Sequence, residues 1–195
     1  MKLLGEGAEA KIYSLNIFNT DLIAKVRIKK EYRIEQIDSE LRESRTRKEA
    51  KVLHTLAKFG VNAPRLVALG KYTLYTSKLE GKLLKDIELE AKEFVKMGEQ
   101  LALMHNANIS HGDFTPANIM KCGKEYFIID FGLSEISNSQ EEKAIDLLLI
   151  KRSIDSKRYA GLLKGYAKSS KNSKEILERL EEIEKRGRYQ VRTLG

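Results

Sequence analysis

The chain changes character once, near Leu79-Glu80-Gly81-Lys82, and that change restricts its fold more than any bulk property. Before it, apolar and β-branched residues come in short runs, KIYSLNIF, DLIAKVRI, RLVALG and YTLYTSKL. Such runs read as strands, with Asn19-Thr20-Asp21 as the turn of a first hairpin. One long helix interrupts them, from about Asp38 to Phe59, where Ala50, Leu53, Leu56 and Ala57 follow helical spacing and Gly60 supplies a stop. After the change, helix dominates. Phe94, Met97, Leu101 and Met104 fall on one face of a segment from Leu89 to Asn106, a stripe that reads as core packing. NIMKCGKEYFIID reads as a second hairpin turning at Cys122-Gly123-Lys124, and three helical segments follow, at about 141–152, 155–168 and 172–186. Strands gathered in one part and helices in the other specify an α+β protein.

The 195 residues can build one sizeable core or two small lobes. A net charge of +8 favours an acidic partner such as a nucleic acid, without specifying where it binds. The single cysteine, Cys122, can form neither an internal disulfide nor a cysteine-rich metal site, which fits a reducing cytoplasm. No apolar run approaches a membrane span, and MKLLGEGAEAK lacks the apolar stretch of a signal peptide, so a cytoplasmic protein with no membrane partner is expected.

Transfer of an ATP phosphoryl group requires a loop over the phosphates, a cation on them, oxygen ligands for Mg²⁺ and a group that orients the nucleophile. Gly5 and Gly7 stand just before a strand, where backbone N–H groups can approach phosphate, although Ala10 replaces a third glycine and an ordinary turn would explain the same residues. Lys25 lies on the opposite strand face from Leu22, Ala24 and Val26. Glu49 shares a helical face with Leu53 and Leu56, so its carboxylate requires a partner, and Lys25 would satisfy it; spacing leaves Glu40 and Glu43 as alternatives. In HGDFTPANIM and FIIDFGL, Asp113 offers a base-like carboxylate, while Asn118 and Asp130 offer hard oxygen ligands suited to Mg²⁺. His111 is expected as a buried, hydrogen-bonded structural residue. Ser134, Ser137 and Ser139 lie on a polar segment expected to be mobile and to accept phosphate. Lys185, Arg186, Arg188 and Arg192 cluster in a basic terminal segment whose Gly187 is expected to interrupt the preceding helix.

LGEGAEAKIY, RTRKEAKVL, HGDFTPANIM, IIDFGLSE, EEKAIDLLL and the terminal RGR together resemble the small atypical serine/threonine kinase subunit of the KEOPS complex, a relative of the RIO kinases, from about residue 3 to the C-terminus. The resemblance implies a minimal bilobal protein-kinase-like fold, with a mainly β N-lobe over 1–79, a reduced helical C-lobe over 80–186 and a basic tail over 187–195. It implies ATP and Mg²⁺ as cofactors. Gly5 and Gly7 would then serve the phosphates, Lys25 and Glu49 the ion pair, Asp113 catalysis, Asn118 and Asp130 the metal, and Thr76, Ser77, Lys78 and Leu79 the adenine. The implied partners are the complex's universal tRNA-modifying ATPase-fold subunit and, through the complex and the basic tail, tRNA. The implied product is threonylcarbamoyladenosine on tRNA.

Departures from ordinary protein kinases accompany this resemblance. HGD replaces HRD, Thr115 replaces a catalytic-loop lysine, and no A-P-E motif follows IIDFG. The chemical centre looks intact while a peptide platform is missing, leaving protein phosphorylation and ATP hydrolysis both open. A small-molecule phosphotransferase of the aminoglycoside or choline-kinase type also uses HGD and an asparagine, but needs a larger helical lobe. A pseudokinase scaffold would be expected to lose a Lys, Asp or metal ligand. An RNA-binding module would be expected to interleave aromatic residues for stacking.

Overall fold

A computed structural model of the protein describes the backbone from Met1 to Arg192 and the side chains to Arg186. The chain forms two compact units: Met1–Lys58 with Ala63–Glu80, and Phe59–Asn62 with the chain from Gly81 onward.

The first unit is an antiparallel sheet carrying one helix. Its strands are β1 (Lys2–Glu6), β2 (Ala10–Ile17), β3 (Thr20–Arg27), β4 (Leu66–Leu69) and β5 (Thr73–Ser77), in the order β1-β2-β3-β5-β4. Helix α1 (Glu35–Lys58) buries Ala50, Val52, Leu53 and Leu56. The first hairpin turns one residue earlier than its sequence suggests. The ladder closes at Ile17 opposite Thr20, leaving Phe18 and Asn19 as a two-residue loop with φ of 48° and 61°. Left-handed values at both positions match the twist of the flanking strands. Asp21 belongs to β3 and is held there by Asn16 at 2.7 Å and Lys78 at 3.2 Å. Gly5 also departs from expectation, since it lies inside β1 beside a shift in register rather than in a loop ahead of a strand.

The second unit contains β6 (Lys82–Leu83), β7 (Ile109–Ser110), β8 (Ile119–Cys122), β9 (Glu125–Ile128) and β10 (Glu135–Ile136). They form a three-stranded sheet, β6-β8-β9, and a two-stranded one, β10-β7. The helices are α2 (Phe94–Asn106), α3 (Gln140–Ser153), α4 (Ser156–Ser169) and α5 (Ser173–Arg192). A capping box between Glu90 and Glu93 precedes α2. Hydrogen bonds from Lys121 at 2.6 Å and Tyr126 at 2.7 Å tie Glu93 to the β8–β9 hairpin and hold its carboxyl down at about 2. Ser139 and Asp155 cap α3 and α4.

The stripe Phe94, Met97, Leu101 and Met104 is buried, as its spacing predicts. What lets α4 approach it is the absence of side chains at the crossing. A Cβ at Gly98 would collide with the Leu162 carbonyl, and one at Gly165 with the Val95 carbonyl. Gly165→Ala is therefore expected to destabilise the protein by about 1–3 kcal/mol, although the same change on an open helix face stabilises by about 1 kcal/mol. Chemical denaturation decides between them, and a gain in stability would refute this account of the crossing.

Helix α5 runs through Gly187 to Arg192 rather than stopping at the glycine. An interior glycine costs only about 1 kcal/mol, too little to end a helix anchored by buried Ile176 and Leu180 and by the Lys151–Glu184 pair at 2.6 Å. The side chains of the expected basic tail beyond Arg186, and residues 193–195, lie outside the described residues. Among the described residues no helix is long and apolar enough to cross a membrane.

Candidate functional site

In the first unit, the two-residue period of β3 sends Lys25 and Arg27 to the same face, where both meet Glu49 of α1. Lys25 Nζ lies 2.7 Å from Glu49 Oε1, and Arg27 Nη2 lies 2.7 Å from Glu49 Oε2. The Glu49 and Arg27 side chains are only 5% and 4% exposed. Arg27 thus fixes one carboxylate oxygen and leaves the other to Lys25, so the carboxylate is both compensated and oriented. The alternatives to Glu49 pair elsewhere: Glu40, exposed, accepts from Gln36 at 3.4 Å, and Glu43, half-buried, accepts from Arg47 at 2.7 Å. Arg27 was not singled out from sequence, although its i+2 spacing from Lys25 carries the signal.

Gly7 donates its N–H to Ala10 O at 2.9 Å, closing the turn into β2, and Glu9 of that turn is tied to Arg45 at 2.7 Å. No protein atom lies within 4 Å of a Cβ built on Gly5, and one on Gly7 would meet only the Ala10 carbonyl at ordinary contact distance. Thr76 and Ser77 end β5. The Ser77 N–H is taken by Arg65 O at 2.9 Å and the Lys78 N–H by Asp21 O at 3.2 Å, so neither is available as a donor to a base. Leu79 follows them at the end of this unit.

In the second unit, β7 leads into His111-Gly112-Asp113, and Asp146 of α3 holds that loop. Asp146 is fully buried and accepts from His111 N at 2.6 Å, Gly112 N at 2.9 Å and His105 Nε2 at 3.1 Å. Three N–H donors converging on one side chain suit a carboxylate, which offers only acceptors. Gly112 adopts φ of 79° with the Leu133 carbonyl against its Cα, a conformation and a clearance that exclude a side chain here. The imidazole of His111 accepts from Asp113 N at 3.2 Å through Nδ1 and faces Ile129 O at 3.0 Å through Nε2. Those partners place its proton on Nε2 and make it structural, flanked by the Phe114 and Phe131 rings.

Asn118 and Asp113 are brought together. Asn118 Nδ2 donates to both the backbone oxygen and Oδ2 of Asp113, each at 2.8 Å. Both acceptors claim the NH₂ end of the amide, so its carbonyl oxygen is the end left for a ligand. Asp130 is tethered to this pair through its neighbour, because Ile129 N donates to Asn118 O at 2.9 Å while Ile129 O meets His111. Asp130 itself has φ of 60°, a left-handed value tolerated by Asp better than by most residues. An oxygen-only donor set of amide carbonyl and carboxylate fits Mg²⁺. Among the described residues no group of three or more His, Cys, Asp or Glu side chains could hold a metal ion, so such an ion would complete its shell with phosphate and water oxygens.

The serine segment differs from expectation. Ser134 is fully buried, its hydroxyl donating to Phe131 O at 2.6 Å. Glu135 and Ile136 form β10, Ser137 Oγ accepts from Ser139 N at 3.0 Å, and Ser139 caps α3. Short-range hydrogen bonding by serine side chains organises what composition alone presents as a loose polar stretch.

Asp146, His105 and Tyr166 were missed from sequence, yet an acid within the apolar run of EEKAIDLLL carries the signal already used for Glu49. His105 Nδ1 meets the Tyr166 hydroxyl at 2.7 Å, completing a chain from α4 through α2 to the HGD loop. Burial lowers the His105 pKa despite the opposing pull of Asp146. The folded protein therefore favours neutral imidazole, and the unfolded chain takes up the proton first as pH falls. This contribution to stability is intact above the ordinary imidazole value of about 6.5 and is lost as pH drops below it. Chemical denaturation from about pH 7.5 to about pH 5 should show this loss. In His105→Gln, which cannot be protonated, the slope should be shallower; an unchanged slope would exclude His105 as its source.

The RIO domain family matches residues 6–154. The KEOPS complex subunit Bud32 of Pyrococcus abyssi is 39% identical, with 99% of this chain and 98% of that protein covered. A probable bifunctional tRNA threonylcarbamoyladenosine biosynthesis protein of Methanobrevibacter smithii is 40% identical over 96% of this chain, which spans only 36% of that longer protein. Among solved structures, the Rio2 kinase–ADP/Mg²⁺–phosphoaspartate complex from Chaetomium thermophilum superposes with a TM-score of 0.60 at 16% identity, covering 95% of this chain and 70% of that one. At that identity the likeness establishes the kinase-like fold alone. A RIO domain across most of its length, and a relative matched nearly end to end, place the chain in the RIO-domain family as a member of the small KEOPS-subunit branch.

Proposed function

We propose that this protein is a Mg²⁺-ATP-dependent atypical kinase or ATPase that works as a subunit of a cytoplasmic KEOPS complex in threonylcarbamoyladenosine modification of tRNA. The observation that carries the reading is the doubly bonded Asn118 amide, which turns its oxygen away from Asp113 and leaves both groups with distinct tasks. Asn118 and Asp130 would hold Mg²⁺, which when bound neutralises charge on the phosphates. Asp113 would orient the nucleophile. Lys25, steadied by Glu49 and Arg27, would contact phosphate oxygens. The protein supplies little steric reason for glycine at positions 5 and 7, and close approach of a phosphate to the backbone there would supply one, although the Gly7 N–H itself is taken by Ala10 O. Thr76 to Leu79 would contact the adenine, and because the N–H groups of Ser77 and Lys78 are taken, that contact would fall to other groups of the segment.

Partnership with the tRNA-modifying ATPase-fold subunit, and contact of the basic C-terminus with tRNA, belong to the same reading. They are supported by the resemblance, by relatives that are a KEOPS complex subunit and a probable tRNA threonylcarbamoyladenosine biosynthesis protein, and by the charge of +8. The test is radiolabelled ATP, with Mg²⁺ or with chelator, for the protein alone, with the partner subunit, and with partner and tRNA. Mg²⁺-dependent release of phosphate, or its transfer to protein, is expected, rising when partner and tRNA are present. Neither turnover nor nucleotide-dependent thermal stabilisation in any arm would remove the proposal.

A further inference from the structure

A recess in the second unit, away from the Asp113 and Asn118 side chains, is lined by His105, Asn106, Asn108, Lys143, Ser170 and Lys171, among others. Its volume of about 70 Å³ is that of two to three water molecules. Lys143, on α3, is 4% exposed. An ammonium has three donors and is costly to bury without an opposite charge. The hydrogen bond that Lys143 Nζ makes here is to a neutral acceptor, Asn108 Oδ1, at 3.2 Å. The neighbouring acid, Glu142, accepts from Ser110 at 3.2 Å. Burial accordingly lowers the Lys143 pKa, with Glu142 opposing.

Among the described residues no carboxylate lines the recess, whereas a second cation, Lys171, is exposed among its lining residues. The surrounding frame is fixed. Asn106 donates to Ser169 O at 2.8 Å and accepts from Lys171 N at 3.0 Å, holding the α4–α5 connection against the end of α2. The recess is thus preformed, with one buried and one exposed lysine among its lining residues.

We infer that this pocket binds a single phosphate group, with Lys143 as its buried cation and Lys171 as its outer one. A dianion matches two lysines better than a carboxylate does, and the volume admits one phosphate group and no nucleoside. The phosphate can come from free inorganic phosphate or from the 5′ end of a ribonucleic acid. The assignment is independent of the proposed nucleotide chemistry, because it uses none of the residues given roles there.

Titration of ¹⁵N-labelled protein with inorganic phosphate, at ionic strength held constant with chloride, tests it. Saturable shifts of the Asn106 and Asn108 side-chain amides and the Lys171 backbone amide are expected. Lys143→Met should weaken the response by about tenfold or more, the worth of a lost charge-assisted hydrogen bond. Lys171→Met, on an exposed turn, should weaken it less and keeps the test decisive if Lys143→Met fails to fold. A 5′-phosphorylated ribo-oligonucleotide that reproduces these shifts, when its 5′-hydroxyl counterpart does not, identifies an RNA end as a source; response to inorganic phosphate alone identifies the free ion. Shifts confined to the region of Gly5 and Gly7, no saturation, or equal binding by both lysine variants and the unaltered protein would overturn the inference.

Discussion

Asp130→Asn is expected to reduce Mg²⁺-dependent ATP turnover by about a hundredfold or more, with the fold retained. The substitution removes a negative charge and keeps a side chain of nearly the same shape. It also respects the backbone, because Asn tolerates the φ of 60° found at this position. Asp130→Ala carries a further backbone penalty of about 1 kcal/mol in the same conformation, so its loss of activity would mix chemistry with strain. The residues around Asp130 supply the rigidity that makes the Asn variant informative: Ile128 and Phe131 are buried, and Ile129 is bonded on both its N–H and its carbonyl. Steady-state turnover at saturating ATP, alongside melting curves for both variants, separates the contributions. Full activity of a folded Asp130→Asn protein would eliminate the proposed metal ligand.

Asp146→Ala should produce the largest loss of stability, about 3–5 kcal/mol, or on the order of 10 °C in Tm. Its carboxylate lies at 0% exposure and receives bonds from the backbone of His111 and Gly112 and from the ring of His105. Truncation leaves those donors buried without an acceptor and frees the loop that carries Asp113. Asp146→Asn should fall between, because an amide keeps one acceptor oxygen but turns an NH₂ toward a facing N–H. Hydrogen exchange at His111 and Gly112 should accelerate in both variants. Turnover measured well below the lower Tm should also fall, since the loop then loses its anchor while the fold persists. Protected His111 and Gly112 amides in Asp146→Ala would refute the anchoring role.

Elements are encoded largely by near neighbours, and these are readable in the chain. The helical spacing of Ala50, Leu53 and Leu56 specifies α1, and that of Phe94, Met97, Leu101 and Met104 specifies the buried face of α2. The same spacing marks Glu49 as an acid on an apolar face and so demands a cation, which Lys25 supplies across 24 residues of sequence. That Arg27 shares a face with Lys25 is readable in their i+2 spacing, but that both meet the one carboxylate of Glu49 is decided by the packing of β3 and α1. Ser134, Ser137 and Ser139 have the composition of a loose loop, but pairing of β10 with β7 and the cap on α3 give that stretch order. Gly187 has the propensity of a helix stop, and anchoring of α5 through Ile176, Leu180 and Glu184 outweighs it. Asp146 meets His111 from 35 residues away and His105 from 41, and these contacts exist only once α2 and α3 have packed. Periodicity can declare that a buried acid needs partners; which partners it receives depends on folding that brings distant segments within hydrogen-bonding distance.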